Sequence, residues 1–219
     1  MSRILYTGTK NASSWAFRAW LALKEQDVEF DERVVDIRKP QRLGNLALIA
    51  EFSPPGAVPV LIDGDAIIYD SLAIMEYANE LGDGSLLPTD MKLRAQTRSL
   101  VAWQHSGLSN LCPRLSFESS FYPDRRAMSA NERTDTKRLF DVFEMLLQRN
   151  GGPFLVGGLS LADLMFVPTL IRIMSHAQNL DTWQLTQDWY RLLMSRDSVQ
   201  EWMQEAMRLP PVFLDGYRD

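Results

Sequence analysis

The stretch VPVLIDGDAIIYDSLAIMEY, residues 58–77, joins two kinds of periodicity with almost nothing between them. Two β-rich runs flank Asp63-Gly64, a turn dipeptide, and predict a hairpin. From Asp70 the pattern changes. Leu72, Ile74, Met75, Ala78 and Leu81 form one helical stripe behind a cap at Asp70 or Ser71, which predicts a helix over 70–81.

Upstream, RILYT (3–7) reads as a strand, a helix follows from about Ser14 to Gln26, and VEFDERVVDI (28–37) reads as a second strand. The order is β-α-β, a connecting stretch, then β-β-α, a small α/β unit with a mixed sheet. The 14–26 helix is apolar on nearly every side except around Arg18, Lys24 and Glu25. That pattern suits an element buried between a sheet and a second layer.

Downstream, GDGSLLP (82–88) is glycine-rich and ends in proline, a linker composition. After it only helical patterns follow. Leu93, Leu100, Val101, Leu108, Leu111 and Leu115 mark one long helix or two, and Leu139, Phe140, Phe143, Leu146 and Leu147 mark another. SFESSFYPDRRAMSA (116–130) reads as a helix end and loop, and the tail LPPVFLDGYRD as irregular. The chain thus divides into an α/β domain (1–82), a linker (83–90) and an all-α helical domain (91–219).

The chain has 219 residues, 46% of them hydrophobic, enough for a sizeable core. A net charge of −5 argues against nucleic acid or an anionic membrane as partner. One cysteine, Cys112, leaves no intramolecular disulfide and no CxxC pair, and only two histidines, His105 and His176, make a metal centre improbable. The N-terminus lacks the pattern of a secretory signal, and no apolar run approaches a membrane span. A soluble cytoplasmic protein is expected.

Three places could carry chemistry. In NASSWAFRAW (11–20), Ser13 and Ser14 precede an apolar segment. A serine there is ordinarily an N-cap, whose replacement costs about 1 kcal/mol. It could instead donate to an anion, a charge-assisted bond worth roughly 1.5–3 kcal/mol with about 0.3–1 more from the helix dipole. That would lower a bound thiol's pKa by about one to two units, enough to ionise much of it at neutral pH. Neither histidine lies in a Ser-His-Asp motif, so the serine would stabilise a nucleophile and not be one. In AVPVL, a cis Val58–Pro59 bond would leave the Val58 backbone free to pair with an extended ligand; a trans proline at a strand edge is the ordinary alternative. In YDSLAI, Asp70 and Ser71 open a helix, where amides and a hydroxyl suit a carboxylate and Asp70 suits an ammonium; a plain cap is the alternative.

Taken in order, SSWAFRAWLAL, VPVL and DSLAIMEY resemble the serine-type, zeta-like branch of the glutathione transferase superfamily. GGLSLADLMFVP (157–168) is similar to that family's buried N-capping motif. It has its own physics: Ser160 and Asp163 have capping-box spacing, and Pro168 should bend the helix. The resemblance covers essentially the whole chain. It implies a thioredoxin-like N-terminal domain that holds glutathione as co-substrate. Ser13 would face the thiolate, Ser14 would cap the helix or make a secondary contact, Val58 before a cis Pro59 would pair with the cysteinyl unit, and Asp70 and Ser71 would hold the γ-glutamyl end.

The resemblance also implies a homodimer and a small, electrophilic, apolar second substrate between the domains. Trp15, Trp103, His105, Phe117, Phe121 and Tyr122 are candidate walls, and Arg38, Lys39 and Arg42 candidates for the glycine carboxylate. Trp15 stands where zeta members carry a cysteine, and Ser175, with Arg172 and His176 nearby, where they carry an arginine. A glutathione-dependent isomerase or reductase, or a non-catalytic protein that keeps the fold to bind a partner, are the alternatives.

Overall fold

The structure, a computed structural model, describes residues 3–108, 111–177, 180–215 and 217. Four strands form one sheet: β1 (Ile4–Gly8), β2 (Asp31–Val35), β3 (Val60–Asp63) and β4 (Ala66–Tyr69), in the order β2-β1-β3-β4. β1 and β2 run parallel, while β1–β3 and β3–β4 are antiparallel. The hairpin turns beyond Asp63, where Gly64 takes a φ of +62° that favours glycine.

Alternation along β1 sends Leu5 into the core while Tyr6 meets Phe52 on the other face, ring centroids 5.2 Å apart. The core face is covered by α1 (Ser14–Glu25) and α3 (Ser71–Leu81), which pack on each other. The connecting stretch holds a further helix, α2 (Arg42–Ala50), that periodicity did not reveal. Only Ile49 of α2 is buried, and the helix is nine residues long with Gly44 in its first turn, a weak signal in sequence.

The helical half comprises α4 (Met91–Gly107), α5 (Leu111–Arg114), α6 (Ala130–Asn150), α7 (Leu161–His176), α8 (Gln184–Met194) and α9 (Asp197–Arg208). Residues 109 and 110, where one helix or two was expected, lie outside the described residues, as do 216, 218 and 219 of the tail. Glu118–Phe121 forms a short 3-10 turn inside the stretch expected to be a helix end and loop. Among the described residues no helix is long and apolar enough to cross a membrane.

α1 ties the halves together. It touches α3 on one side and α7 and α9 on the other, and nine of its residues are buried. Phe17 stacks on Trp202 of α9 with centroids 4.7 Å apart. Each such aromatic burial contributes roughly 1.5–3 kcal/mol. Lys10, 3% exposed, adds a charged clasp: it pairs with Glu32 and Glu205 at 2.9 Å each and lies over the rings of Trp20 and Trp202.

Helix α7 is built on the Ser160–Asp163 box. The Asp163 carboxylate receives the Ser160 amide (2.9 Å) and hydroxyl (2.6 Å), the Leu155 amide (2.9 Å) and the Trp189 indole N–H (3.0 Å). One buried side chain thereby fixes the helix start, the preceding turn and α8. α7 runs on through Pro168, with Leu86 of the 82–90 connection accepting from the Leu161 amide at 2.9 Å.

Among the described residues the tail beyond α9 has no regular structure but is anchored. The Asn11 side chain donates to the Pro210 carbonyl (2.9 Å), and the Tyr122 hydroxyl donates to Val212 O and accepts from Leu214 N. Arg126 grips the Tyr217 carbonyl and forms a two-pronged pair with Glu132 at 2.8 Å.

Candidate functional site

Where the sheet meets α4, a cavity of about 460 Å³ is lined by Trp15, Pro55, Ala57, Val58, Pro59, Tyr69, Asp70, Ser71 and His105. A larger hollow of about 690 Å³ is lined by Asp27, Glu29, Asp31, Glu32 and Glu201 against Arg3 and Lys24, an excess of negative charge that disfavours an anionic ligand. The smaller cavity is the one the sequence motifs point to.

The Val58–Pro59 bond is cis. The β ladders begin at Val60, so Val58 stands outside them. Asp70 is the N-cap of α3: its Oδ1 accepts from the Leu72 amide at 2.8 Å. It does so at a φ of +70°, strained for a residue with a side chain. Its other oxygen lies 3.5 Å from His105 Nε2. Beside it Ser71 is 2% exposed, and its hydroxyl is buried without a hydrogen-bond partner. His105 Nδ1 is likewise buried and unpartnered. Buried polar atoms normally find partners, and two of those left unpaired among the described residues belong to residues of this one cavity wall.

α1 opens at the same end. Ser13 occupies the N-cap position, yet its hydroxyl makes no capping bond. Ser14 is the first helical residue, which removes the cap from its two expected roles and leaves the secondary contact, and its hydroxyl accepts from the Arg172 guanidinium of α7 at 2.5 Å. Ser13 is seated over Gly8: a Cβ at residue 8 would stand 2.7 Å from the Ser13 Cβ and 2.8 Å from its Oγ. Both serines are buried, and neither lines the cavity, although the next residue, Trp15, does.

Of the six expected wall residues, Trp15 and His105 line the cavity and pack edge-to-face with centroids 5.2 Å apart. The Trp15 face carries the Arg18 guanidinium, 4.4 Å from its centroid. The other four serve elsewhere. Trp103 packs on Phe166, Phe117 is core with Phe121 against it, and Tyr122 holds the tail. Arg38 is bound to Asp36 at 2.8 Å, a contact that holds the Asp36 carboxyl well below the usual range, and Lys39 pairs with Asp215 at 3.1 Å. Arg38, Lys39 and Arg42 do not line the cavity. His176 is packed into the core, its ring nitrogens against Arg172 O and the Tyr217 hydroxyl.

This geometry has relatives. The profile of the glutathione S-transferase N-terminal domain matches residues 12–81, and that of the C-terminal domain residues 114–206. Glutathione S-transferase 1 of Dianthus caryophyllus is 34% identical over 164 residues, 73% of this chain and 72% of its own. The chain belongs to the glutathione S-transferase family. The transferase therefore has the thioredoxin-like and helical architecture of that family, with glutathione as the family's co-substrate. Solved structures share the fold. A glutathione S-transferase from Rhodospirillum rubrum F11 superposes with a TM-score of 0.76 at 24% identity, covering 99% of this chain and 98% of that one. A glutathione transferase homologue from Burkholderia gl BGR1, with bound glutathione, gives 0.71 at 22% identity, covering 96% of this chain and all (100%) of that one.

Arg18 interrupts the apolar pattern of α1 and Arg172 stands near the position where zeta-like members carry an arginine, but sequence alone does not bring the two together; both are buried at the seam between α1 and α7. The available signal was an arginine inside each of two otherwise apolar helices.

Proposed function

We propose that this transferase binds glutathione along Val58, Pro59, Asp70 and Ser71 and directs its thiolate at a small, electrophilic, apolar molecule. The observation that carries the reading is the buried, unpartnered hydroxyl of Ser71 beside the strained Asp70 on the cavity wall. The γ-glutamyl end offers both complements: a carboxylate for the Ser71 hydroxyl and the α3 N-terminus, and an ammonium for Asp70. The Val58 backbone, outside the ladder, suits pairing with the cysteinyl unit.

Ser13 is the thiolate donor in this reading. Its hydroxyl is free of the capping task that would otherwise occupy it, and it sits at the positive end of α1. Donation to sulphur favours the ionised form, and the sulphur lone pair then forms the new S–C bond while the electrophile's leaving group departs with its electrons. Holding both reactants in one cavity supplies the rest of the rate. Trp15 and His105 form the wall on the second substrate's side. A cytoplasmic homodimer belongs to the same reading.

Titration calorimetry with glutathione tests it, comparing the unaltered protein with Ser71→Ala. Clear binding that weakens in the variant is the expected result. No binding to the folded protein would overturn the reading.

A further inference from the structure

Two arginines meet at the seam between α1 and α7, and among the described residues neither has a carboxylate as a hydrogen-bond partner. Arg18 is 1% exposed and Arg172 is 7% exposed. Arg18 donates to the Met165 carbonyl (2.8 Å), the Ser14 carbonyl (3.4 Å) and the Thr169 hydroxyl (3.4 Å). Arg172 donates to the Ser14 hydroxyl (2.5 Å) and the Cys112 carbonyl (3.3 Å) and lies over the Phe117 ring. Every one of these acceptors is neutral. Arg172 Nε is buried with no acceptor among the described residues. Burial, with the like charge of Arg172 behind it, pulls the Arg18 ionisation down to about 9.

A buried pair of like charges is a standing cost to the fold, and an anion placed beside it removes much of that cost. We propose that the Arg18–Arg172 pair is a positioning and electrostatic element of the thiolate site, acting on the glutathione sulphur through Ser14. This rests on the glutathione reading above. The chain of contact is short. Arg172 occupies a lone pair of the Ser14 oxygen and so leaves that hydroxyl its own proton to give, and Ser14 adjoins Ser13 at the N-terminus of α1. A hydroxyl that accepts from a cation is a stronger donor than a free one. The helix terminus, the Ser13 hydroxyl and the arginine pair thus all favour a negative sulphur.

The other charged or titratable groups around the pair do not cancel it. Asp70 attracts Arg18, but its side chain is half in solvent (49% exposed) and faces His105 on its other side. Glu118, on the 3-10 turn, has its carboxyl pushed up by burial, with Arg172 and Arg42 pulling the other way. Cys112 on α5 is a free, half-buried thiol. The consequence is that the helical domain, through α7, helps to ionise a thiol held by the other domain.

The test is an ultraviolet titration of the thiolate of glutathione bound to the full-length protein, set beside the affinity for S-methylglutathione, which has no thiol to ionise. Arg172→Met should raise the bound thiol pKa by about one unit. Arg172→Lys should restore most of the shift, and Ser14→Ala should raise the pKa by a smaller step with both arginines in place. Affinity for S-methylglutathione should not change. An unmoved thiol pKa in Arg172→Met overturns the proposal. A loss of S-methylglutathione affinity in step with the shift does so as well, because Arg172 would then only shape the site. If Arg172→Met does not fold, an unmoved pKa in Ser14→Ala overturns it. Failure of the unaltered protein to bind glutathione would overturn the underlying reading, whereas a lowered thiol pKa indifferent to residue 172 would overturn this proposal alone.

Discussion

Ser13 and Ser14 are neighbours in the chain with opposite commitments: the Ser14 hydroxyl is held by Arg172 at 2.5 Å, while the Ser13 hydroxyl sits at the helix cap and makes no capping bond. The position that ordinarily stabilises a helix is therefore free to act on a ligand.

Ser13→Ala separates the two roles. Loss of one donor to a developing or stabilised anion costs on the order of a hundredfold in kcat/KM. The stability cost should fall well short of the ~1 kcal/mol that a working cap contributes, because no capping bond is lost. Turnover with an activated aryl halide and urea unfolding give the two numbers. A large stability loss with activity retained would return Ser13 to a structural role.

Gly8→Ala approaches the same hydroxyl from behind. The added methyl would meet Ser13 Cβ and Oγ at 2.7 and 2.8 Å and Ile37 Cδ1 at 2.9 Å, so Ser13 must shift. Displacements of this size from productive geometry cost about a hundredfold in rate. Steady-state kinetics should show the loss mainly in kcat, with glutathione affinity unchanged.

Asp163→Asn tests the box that starts α7. An amide can replace one carboxylate oxygen, but its NH₂ would face the Ser160 amide and hydroxyl, which both donate to Oδ2. Leaving buried donors unpaired costs about 1–3 kcal/mol each. Urea unfolding should register a loss of at least about 2 kcal/mol, and Trp189 fluorescence should report it, because the indole N–H is bound to the same side chain at 3.0 Å.

The Arg126–Glu132 pair sets an acid limit. The Arg126 hydrogen bonds hold the Glu132 carboxyl down to about 2 from its ordinary 4.5. A folded-state pKa below the unfolded value contributes stability that is complete above 4.5 and is lost as pH falls toward 2. That contribution is on the order of 3 kcal/mol for this buried group. Glu132→Gln should flatten the fall in Tm between those limits. An unchanged acid profile would show that other carboxylates govern it.

Legibility in the sequence followed distance along the chain. The β3–β4 hairpin and α3 could be read because turn, alternation, cap and stripe all lie within residues 58–81. Asp70 and Ser71 stand out for the same local reason, Asp70 as the cap of α3 and Ser71 as its first residue. α2 escaped because Lys39, Pro40 and Gly44 break any pattern at its start, and it buries only one residue. The Ser14–Arg172 contact spans 158 residues and exists only once the two halves pack. No local rule reaches it. The wall residues failed in the opposite direction: aromatics such as Phe117 and Trp103 look alike in sequence whether they line a cavity or fill a core.

Helix α7 buries fourteen of its sixteen positions, from Leu161 to His176. Such a helix offers evolution almost no neutral ground, since nearly every change disturbs a packed or bonded neighbour. Variation in what this protein accepts must therefore accumulate elsewhere. The exposed rim at Trp15, Ala57 and Tyr69, with half-buried His105 beside it, can drift to meet new ligands while Arg172 and Asp163 stay fixed behind it.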